Sequence, residues 1–183
     1  MQIVITADVF RACQLAAAKK DCREYLNYVC IEPRQKMLVA TDGHVMAEGP
    51  IHRIDWANGE ELPDQLLVML DKVIPTSWDY VILDAATKRA TGKNPKTQNV
   101  GFRIYDGSMN YPDWRRISVH QGSAFKKSSN GDRYAEIGLN AGILSRVIGN
   151  RPAKLEFPSE PLAALRVTPQ GTDVRVTFMP ARV

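Results

Sequence analysis

Ile3-Val4-Ile5-Thr6-Ala7-Asp8-Val9-Phe10-Arg11-Ala12-Cys13-Gln14-Leu15-Ala16-Ala17 changes its apolar period within a few residues. Ile3-Val4-Ile5 is a short β-branched run suited to a strand. Val9, Phe10, Cys13, Ala16 and Ala17 then recur at helical spacing, with Thr6 placed as the N-cap, so an apolar stripe faces inward. Arg11, Gln14 and Ala18 share the opposite face and Lys19 and Lys20 end it, a small and basic surface that suits the lining of a groove or channel. Three strands are expected next, over residues 25–31, 37–41 and 45–51, separated by Glu32-Pro33-Arg34-Gln35 and by the Asp42-Gly43 turn signal.

The same order recurs in altered form. Residues 65–70 read either as a strand followed by one helical turn after Asp71, or as part of a helical stripe of Leu66, Leu67, Leu70, Val73 and Ile74 ending at Pro75, and periodicity does not separate the two. Strands follow at 80–83 and 100–105, and residues 87–96 between them read as a mobile basic hairpin loop. Residues 118–131 are polar and basic and read as a linker. Beyond it come a strand at 134–139 and a helix capped by Asn140, with Ile143, Leu144, Val147 and Ile148 inward and Arg146 outward. Strands at 155–157, 162–168 and 174–179 complete this third copy. The fold class is therefore α+β: a strand-helix-three-strand module written three times, its middle helix degraded.

The 183 residues are 44% hydrophobic and 24% charged, the composition of a globular chain with one core or two small ones. No run of about 18 apolar residues and no signal-peptide pattern is present, which places the chain in the cytoplasm and away from membranes. Cys13, Cys22 and Cys30 match neither a disulfide scaffold nor a zinc knuckle; they are read as reduced, at least two of them in the core. Charge is uneven: residues 1–87 carry 8 Lys/Arg against 13 Asp/Glu, whereas residues 88–183 carry 16 against 7. One electropositive surface follows, suited to phosphate groups such as those of a nucleic acid. The candidate phosphate contacts are Arg11, Lys19, Lys20, Arg23, Lys88, Arg89, Lys93, Lys96, Arg146 and Arg151, with Lys126 and Lys127 on the linker.

Asp42-Gly43-His44 pairs a general base with an orienting acid, but no nucleophile motif accompanies it and Asp-Gly is an ordinary hairpin turn. His44, His52 and Asp42 fit no recurrent metal-ligand spacing. The reading is non-enzymatic, with no cofactor and no metal. In Tyr111-Pro112-Asp113-Trp114-Arg115-Arg116, proline stiffens a loop, Trp114 offers an anchor and two arginines can bond carbonyls or carboxylates, which describes a domain-end staple or a binding-site wall.

Tyr25-Leu26-Asn27, Leu38-Val39-Ala40-Thr41-Asp42-Gly43-His44, Tyr111-Pro112-Asp113-Trp114-Arg115-Arg116-Ile117 and Phe178-Met179-Pro180-Ala181-Arg182-Val183 stand in an order and spacing that resembles the bacterial DNA polymerase III beta subunit family, the sliding clamps. Asn140-Ala141-Gly142-Ile143-Leu144-Ser145-Arg146-Val147 adds to the likeness. Residues 1–118 resemble the middle clamp domain, 119–131 a basic linker, and 132–183 the second half of the last domain. The resemblance implies the DNA-clamp fold and a minimised relative of the kind a phage or mobile element encodes. It also implies a role in DNA replication or repair, with duplex DNA and DNA polymerase or other clamp-binding proteins as partners, the latter through short linear motifs. Leu26, Thr41, Gly43, His44, Pro112, Ile117, Met179, Pro180 and Arg182 would form the client-peptide pocket, with Val45 where the family has arginine. The alternative is a clamp mimic that binds replication proteins without encircling DNA. Four copies would be needed to assemble a twelve-module ring, and the segments a full clamp would add include one of its two interface surfaces, so a monomer or dimer is expected.

Overall fold

The computed structural model describes residues 1–56, 61–92, 99–108, 110–116, 141–156 and 164–179. Strand β1 (Gln2–Thr6) runs into helix α1 (Ala7–Ala16), and Thr6 occupies the N-cap position without a side-chain hydrogen bond to the helix. α1 stops where the Ala18 N–H turns away to the Leu26 carbonyl at 2.9 Å. The strand expected from residue 25 starts later. Glu24–Asn27 form a 3-10 turn that folds Leu26 into the interior, and only β2 (Val29–Glu32) is extended. β3 (Met37–Thr41), β4 (Val45–Pro50) and a short β5 (Arg53–Asp55), which sequence reading missed, complete the first module.

The second module resolves the ambiguity at residues 65–70 in favour of a strand, β6 (Leu66–Leu70). Residues 71–78 lie outside helix and strand, so the middle helix, read as degraded, is absent among the described residues. In its place the chain is held by α1: Arg11 donates to the Pro75 carbonyl at 2.6 Å, and Gln14 donates to the Lys72 carbonyl and accepts from the Ile74 N–H. β7 (Tyr80–Asp84), β8 (Arg89–Gly92) and β9 (Val100–Ile104) follow. β8 corrects the loop reading of residues 87–96. Paired with β7 and buried at Ala90, it is a strand, and a Cβ on Gly92 would stand 2.4 Å from the Trp78 indole that covers it. Lys93 and Lys96 lie outside the described residues, as do the linker at 119–131, the strand expected at 134–139 and the Asn140 cap. The third module is seen as α2 (Ala141–Ile148), β10 (Ala153–Glu156), β11 (Leu165–Pro169) and β12 (Arg175–Phe178).

The twelve strands of the described residues lie in one sheet of order β10-β11-β12-β4-β3-β2-β6-β9-β8-β7-β1-β5. The two complete modules exchange their leading strands: β1 pairs with β7, and β6 pairs with β2. β9 pairs with both β8 and β6, and β5, which follows β4 after two residues, pairs with β1 and ends the order. The third module joins through β12 on β4, Phe178 opposite Val45, and through α2 against α1.

Burial explains why β2 to β4 read as unbroken apolar runs. Successive side chains alternate between two covered faces. Val29, Ile31, Leu38, Ala40, Val45 and Ala47 pack with Val9, Phe10, Cys13 and Ala16 of α1. Cys30, Val39 and Met46 point the other way, onto Leu26, Leu67, Tyr111 and Trp114. Cys13 and Cys30 are therefore core residues and their thiols are pushed up by burial, whereas Cys22 is exposed. Each fully buried large side chain, Phe10 among them, contributes about 1.5–3 kcal/mol over its exposed state. Among the described residues no helix is long and apolar enough to cross a membrane.

Candidate functional site

The β3–β4 turn is built by its own side chains. Thr41 Oγ1 donates to the Val45 carbonyl at 2.7 Å and accepts from the Gly43 N–H at 3.0 Å. Asp42 Oδ1 accepts from the backbone N–H groups of His44 and Val45 at 2.9 and 3.0 Å, the Asx arrangement that suits aspartate to turns. Gly43, at φ +91°, takes the left-handed conformation that closes the turn. The other Asp42 oxygen receives Arg146 of α2 at 3.2 Å, so Arg146 faces the turn rather than outward. Asp42 thus addresses the backbone of His44 and not its imidazole, an arrangement for holding a turn rather than for orienting a general base. Among the described residues no group of three His, Cys, Asp or Glu could hold a metal ion.

Pairing of β12 with β4 brings the end of the chain to this turn. The Met179 N–H donates to the His44 carbonyl at 2.9 Å, and the Met179 side chain is 43% exposed. Arg23 overhangs the same turn, its Nη2 3.7 Å from where a Cβ on Gly43 would stand. Gly43, His44 and Met179 therefore form one exposed patch.

The 111–116 segment supports the turn from below. The buried Tyr111 hydroxyl accepts the Thr41 N–H at 2.9 Å, and burial pushes that hydroxyl well above its ordinary range. The Tyr111 N–H donates to Gln65 Oε1 at 3.1 Å. Glu32, buried in β2, collects the Trp114 indole N–H at 3.1 Å and the Arg115 guanidinium, which also lies 4.5 Å over the Trp114 ring. The motif is thus a staple whose Pro112 alone among the candidate pocket residues of this segment is seen at the surface. Leu26 and Thr41 are buried, Leu26 inside the Tyr111–Trp114 cluster, and serve as walls beneath the surface rather than as an open lining. Ile117, Pro180 and Arg182 lie outside the described residues. Sequence reading missed Tyr111 and Glu32 as anchors. An acid following Val29-Cys30-Ile31 and preceding Pro33 signals a buried carboxylate in need of partners.

The cations divide into two groups. Lys19, Lys20, Lys88 and Arg89 are exposed. Arg11, Arg23, Arg146 and Arg151 already meet carboxylates. Arg151 grips Asp8 with two hydrogen bonds of 2.8 and 2.9 Å, Arg11 adds a third at 3.0 Å, and together they hold the Asp8 carboxyl below the usual carboxylate range. Arg23 grips Asp21 with Nε and Nη2. The Arg11 side chain is only 15% exposed, so the α1 face expected to be open is partly closed. Arg11, Arg146 and Arg151 border a cavity of about 200 Å³ between α1 and α2.

No protein-family model and no curated protein sequence matches the chain. Solved structures do match. The DNA polymerase sliding clamp of Pseudomonas aeruginosa aligns over all of this chain and 66% of its own length, with a TM-score of 0.61 and 20% identity. The beta sliding clamp of Caulobacter crescentus gives 0.57 at 17% identity over 65% of its length. DNA polymerase III subunit beta of Borrelia burgdorferi, solved with a natural product, gives 0.60 at 14% over 64%. This chain therefore spans just under two thirds of these clamps. At such identities what is shared is architecture, and the architecture of this chain is the bacterial sliding-clamp fold, of mixed α+β class.

Proposed function

We propose that the chain is a non-enzymatic, sliding-clamp-like accessory factor of DNA replication or repair that contacts duplex DNA without sequence preference and receives client peptides beside the β3–β4 turn. The observation that supports this reading best is the Met179–His44 hydrogen bond, which joins the two exposed segments the resemblance assigns to the pocket. Gly43, His44, Pro112 and Met179 would form its rim over Leu26 and Thr41, with Ile117, Pro180 and Arg182 completing it. A cleft of this chemistry accepts the apolar residues of a short extended peptide. Val45, where the family has arginine, is buried beneath α1 and does not line this rim, so the substitution leaves the cleft's surface chemistry to the residues named above. Domain-wise, residues 1–118 would act as one clamp domain and 132–183 as half of another. Titration of the chain with a fluorescent clamp-binding polymerase peptide tests the pocket. Binding near micromolar, weakened by Met179→Ala with Pro180→Ala, is expected; equal binding by wild type and variant refutes it.

The second reading, an interaction protein that does not encircle DNA, is favoured by the carboxylate partners of Arg11, Arg23, Arg146 and Arg151, which offset charge that phosphate would otherwise meet. Affinity for two unrelated duplexes across a salt series separates the two. Weak binding that falls steeply with salt on both duplexes supports clamp-like contact. Peptide binding with no DNA binding at low salt selects the second reading.

A further inference from the structure

β10 ends the sheet: β11 covers one edge, and no described strand covers the other. The phase of its hydrogen bonds is fixed by its neighbour. Gln170 N–H donates to the Pro152 carbonyl at 2.8 Å, and Ala153 faces Pro169, which has no N–H to give. Ala153 and Pro169 are thus a non-hydrogen-bonded pair, so the backbone groups of Lys154 and Glu156 point to β11 while those of Ala153 and Leu155 point outward. The Leu155 side chain is 42% exposed, one of three large apolar side chains so exposed among the described residues. Lys154 and Glu156 share the opposite face, Nζ to Oε1 at 2.8 Å.

We propose that this edge is a two-fold pairing surface for a second copy of the chain. With the axis through Leu155, an antiparallel pair lets Leu155 and the partner's Leu155 exchange both outward backbone hydrogen bonds. Each Lys154 then stands opposite the partner's Glu156, on one face of the joined sheet, and the two leucines meet on the other. The neighbouring registers that also bring outward groups together fail on charge. An axis at Lys154 sets lysine against lysine, and one at Glu156 sets glutamate against glutamate, both destabilising when directly opposed. A strand self-complementary about its own centre has the pattern an isologous interface requires, which names a second copy as the occupant. The pairing needs neither DNA nor peptide and stands apart from the proposed function.

Sedimentation equilibrium of the full chain over a concentration series tests it. The wild type moves towards a two-chain mass as concentration rises to millimolar. Leu155→Pro removes the outward N–H and leaves the bonds to β11 in place, as proline on an edge strand does, and stays single-chain with an unchanged circular dichroism spectrum. Lys154→Glu sets glutamate opposite the partner's Glu156 on both sides of the axis and is single-chain with an unchanged circular dichroism spectrum; Glu156 is left in place because it also meets the buried Arg166 at 3.8 Å. A single-chain wild type at millimolar concentration, or a two-chain Leu155→Pro or Lys154→Glu, overturns the proposal.

Discussion

Tyr111→Phe removes one oxygen atom from the interior and nothing else. That oxygen accepts the buried Thr41 N–H at 2.9 Å, and Thr41 is the last residue of β3 before the turn that carries Gly43 and His44. The ring keeps its packing against Leu26 and its edge-on contact with Tyr25, whose centroid lies 6.3 Å away, so the packing contribution cancels between wild type and variant. What remains is a buried backbone donor without its acceptor, which costs about 1–3 kcal/mol. In a chain of 183 residues that lowers Tm by about 2–12 °C. Urea unfolding followed by tryptophan fluorescence should show the same loss as a lower midpoint with an unchanged m-value, since the surface exposed on unfolding is the same. Because burial pushes the Tyr111 hydroxyl up, it stays protonated through mildly alkaline pH and the difference persists there. Equal midpoints for wild type and Tyr111→Phe would refute the claim that this hydroxyl anchors the turn.

Glu32→Ala strips the Trp114 indole N–H and Arg115 of their shared acceptor; a loss of about 1–3 kcal/mol is expected, with Glu32→Gln milder because it still accepts from Trp114, both read by urea denaturation. Gly92→Ala drives a methyl into the Trp78 indole and should cost about 1–3 kcal/mol, with a change in near-ultraviolet circular dichroism reporting the displaced ring. Asp8→Asn should destabilise at neutral pH by less than about 1 kcal/mol, because Asp8 is 37% exposed and its ion pairs are screened. The sign follows from a folded pKa held below the unfolded 3.8: the contribution is full above 3.8 and is lost as pH falls through the folded value, so wild-type and Asp8→Asn melting curves should converge at strongly acid pH.

Local pattern was enough for α1, whose stripe of Val9, Phe10, Cys13 and Ala16 is the buried face, and for β3 and β4, whose apolar runs are long because both faces are covered. It failed where distant partners decide. Tyr25 and Tyr28 suggest a strand, yet Leu26 is drawn inward by Tyr111 and Trp114, and that contact bends the backbone into a 3-10 turn. Arg89-Ala90-Thr91-Gly92 has too little apolar alternation to read as a strand and becomes one through pairing with β7 under Trp78. The spacing of Arg11 and Arg146 suggested free outward cations. Their carboxylates come from Asp8 and from the β3–β4 turn, and only the packing of α2 against α1 and the turn brings Arg146 to the latter. The meeting of His44 with Met179 was legible through family resemblance alone, since no local pattern reveals that β12 pairs with β4.

The exchange of leading strands between the first two modules has a consequence for how the molecule opens. Neither module can complete its sheet alone, because β2 needs β6 and β7 needs β1. Strands β1 to β9 should therefore lose amide protection in a single cooperative event, and their assembly, dominated by pairings distant in sequence, should be slow. The third module joins them through β12 on β4, α2 on α1 and the Arg146–Asp42 and Arg151–Asp8 ion pairs, and Leu165, Val167 and Phe178 share the core beneath α1. β11 and β12 should therefore open with that core, and only β10, an edge strand with exposed Lys154 and Leu155, should exchange through a separate opening of lower free energy.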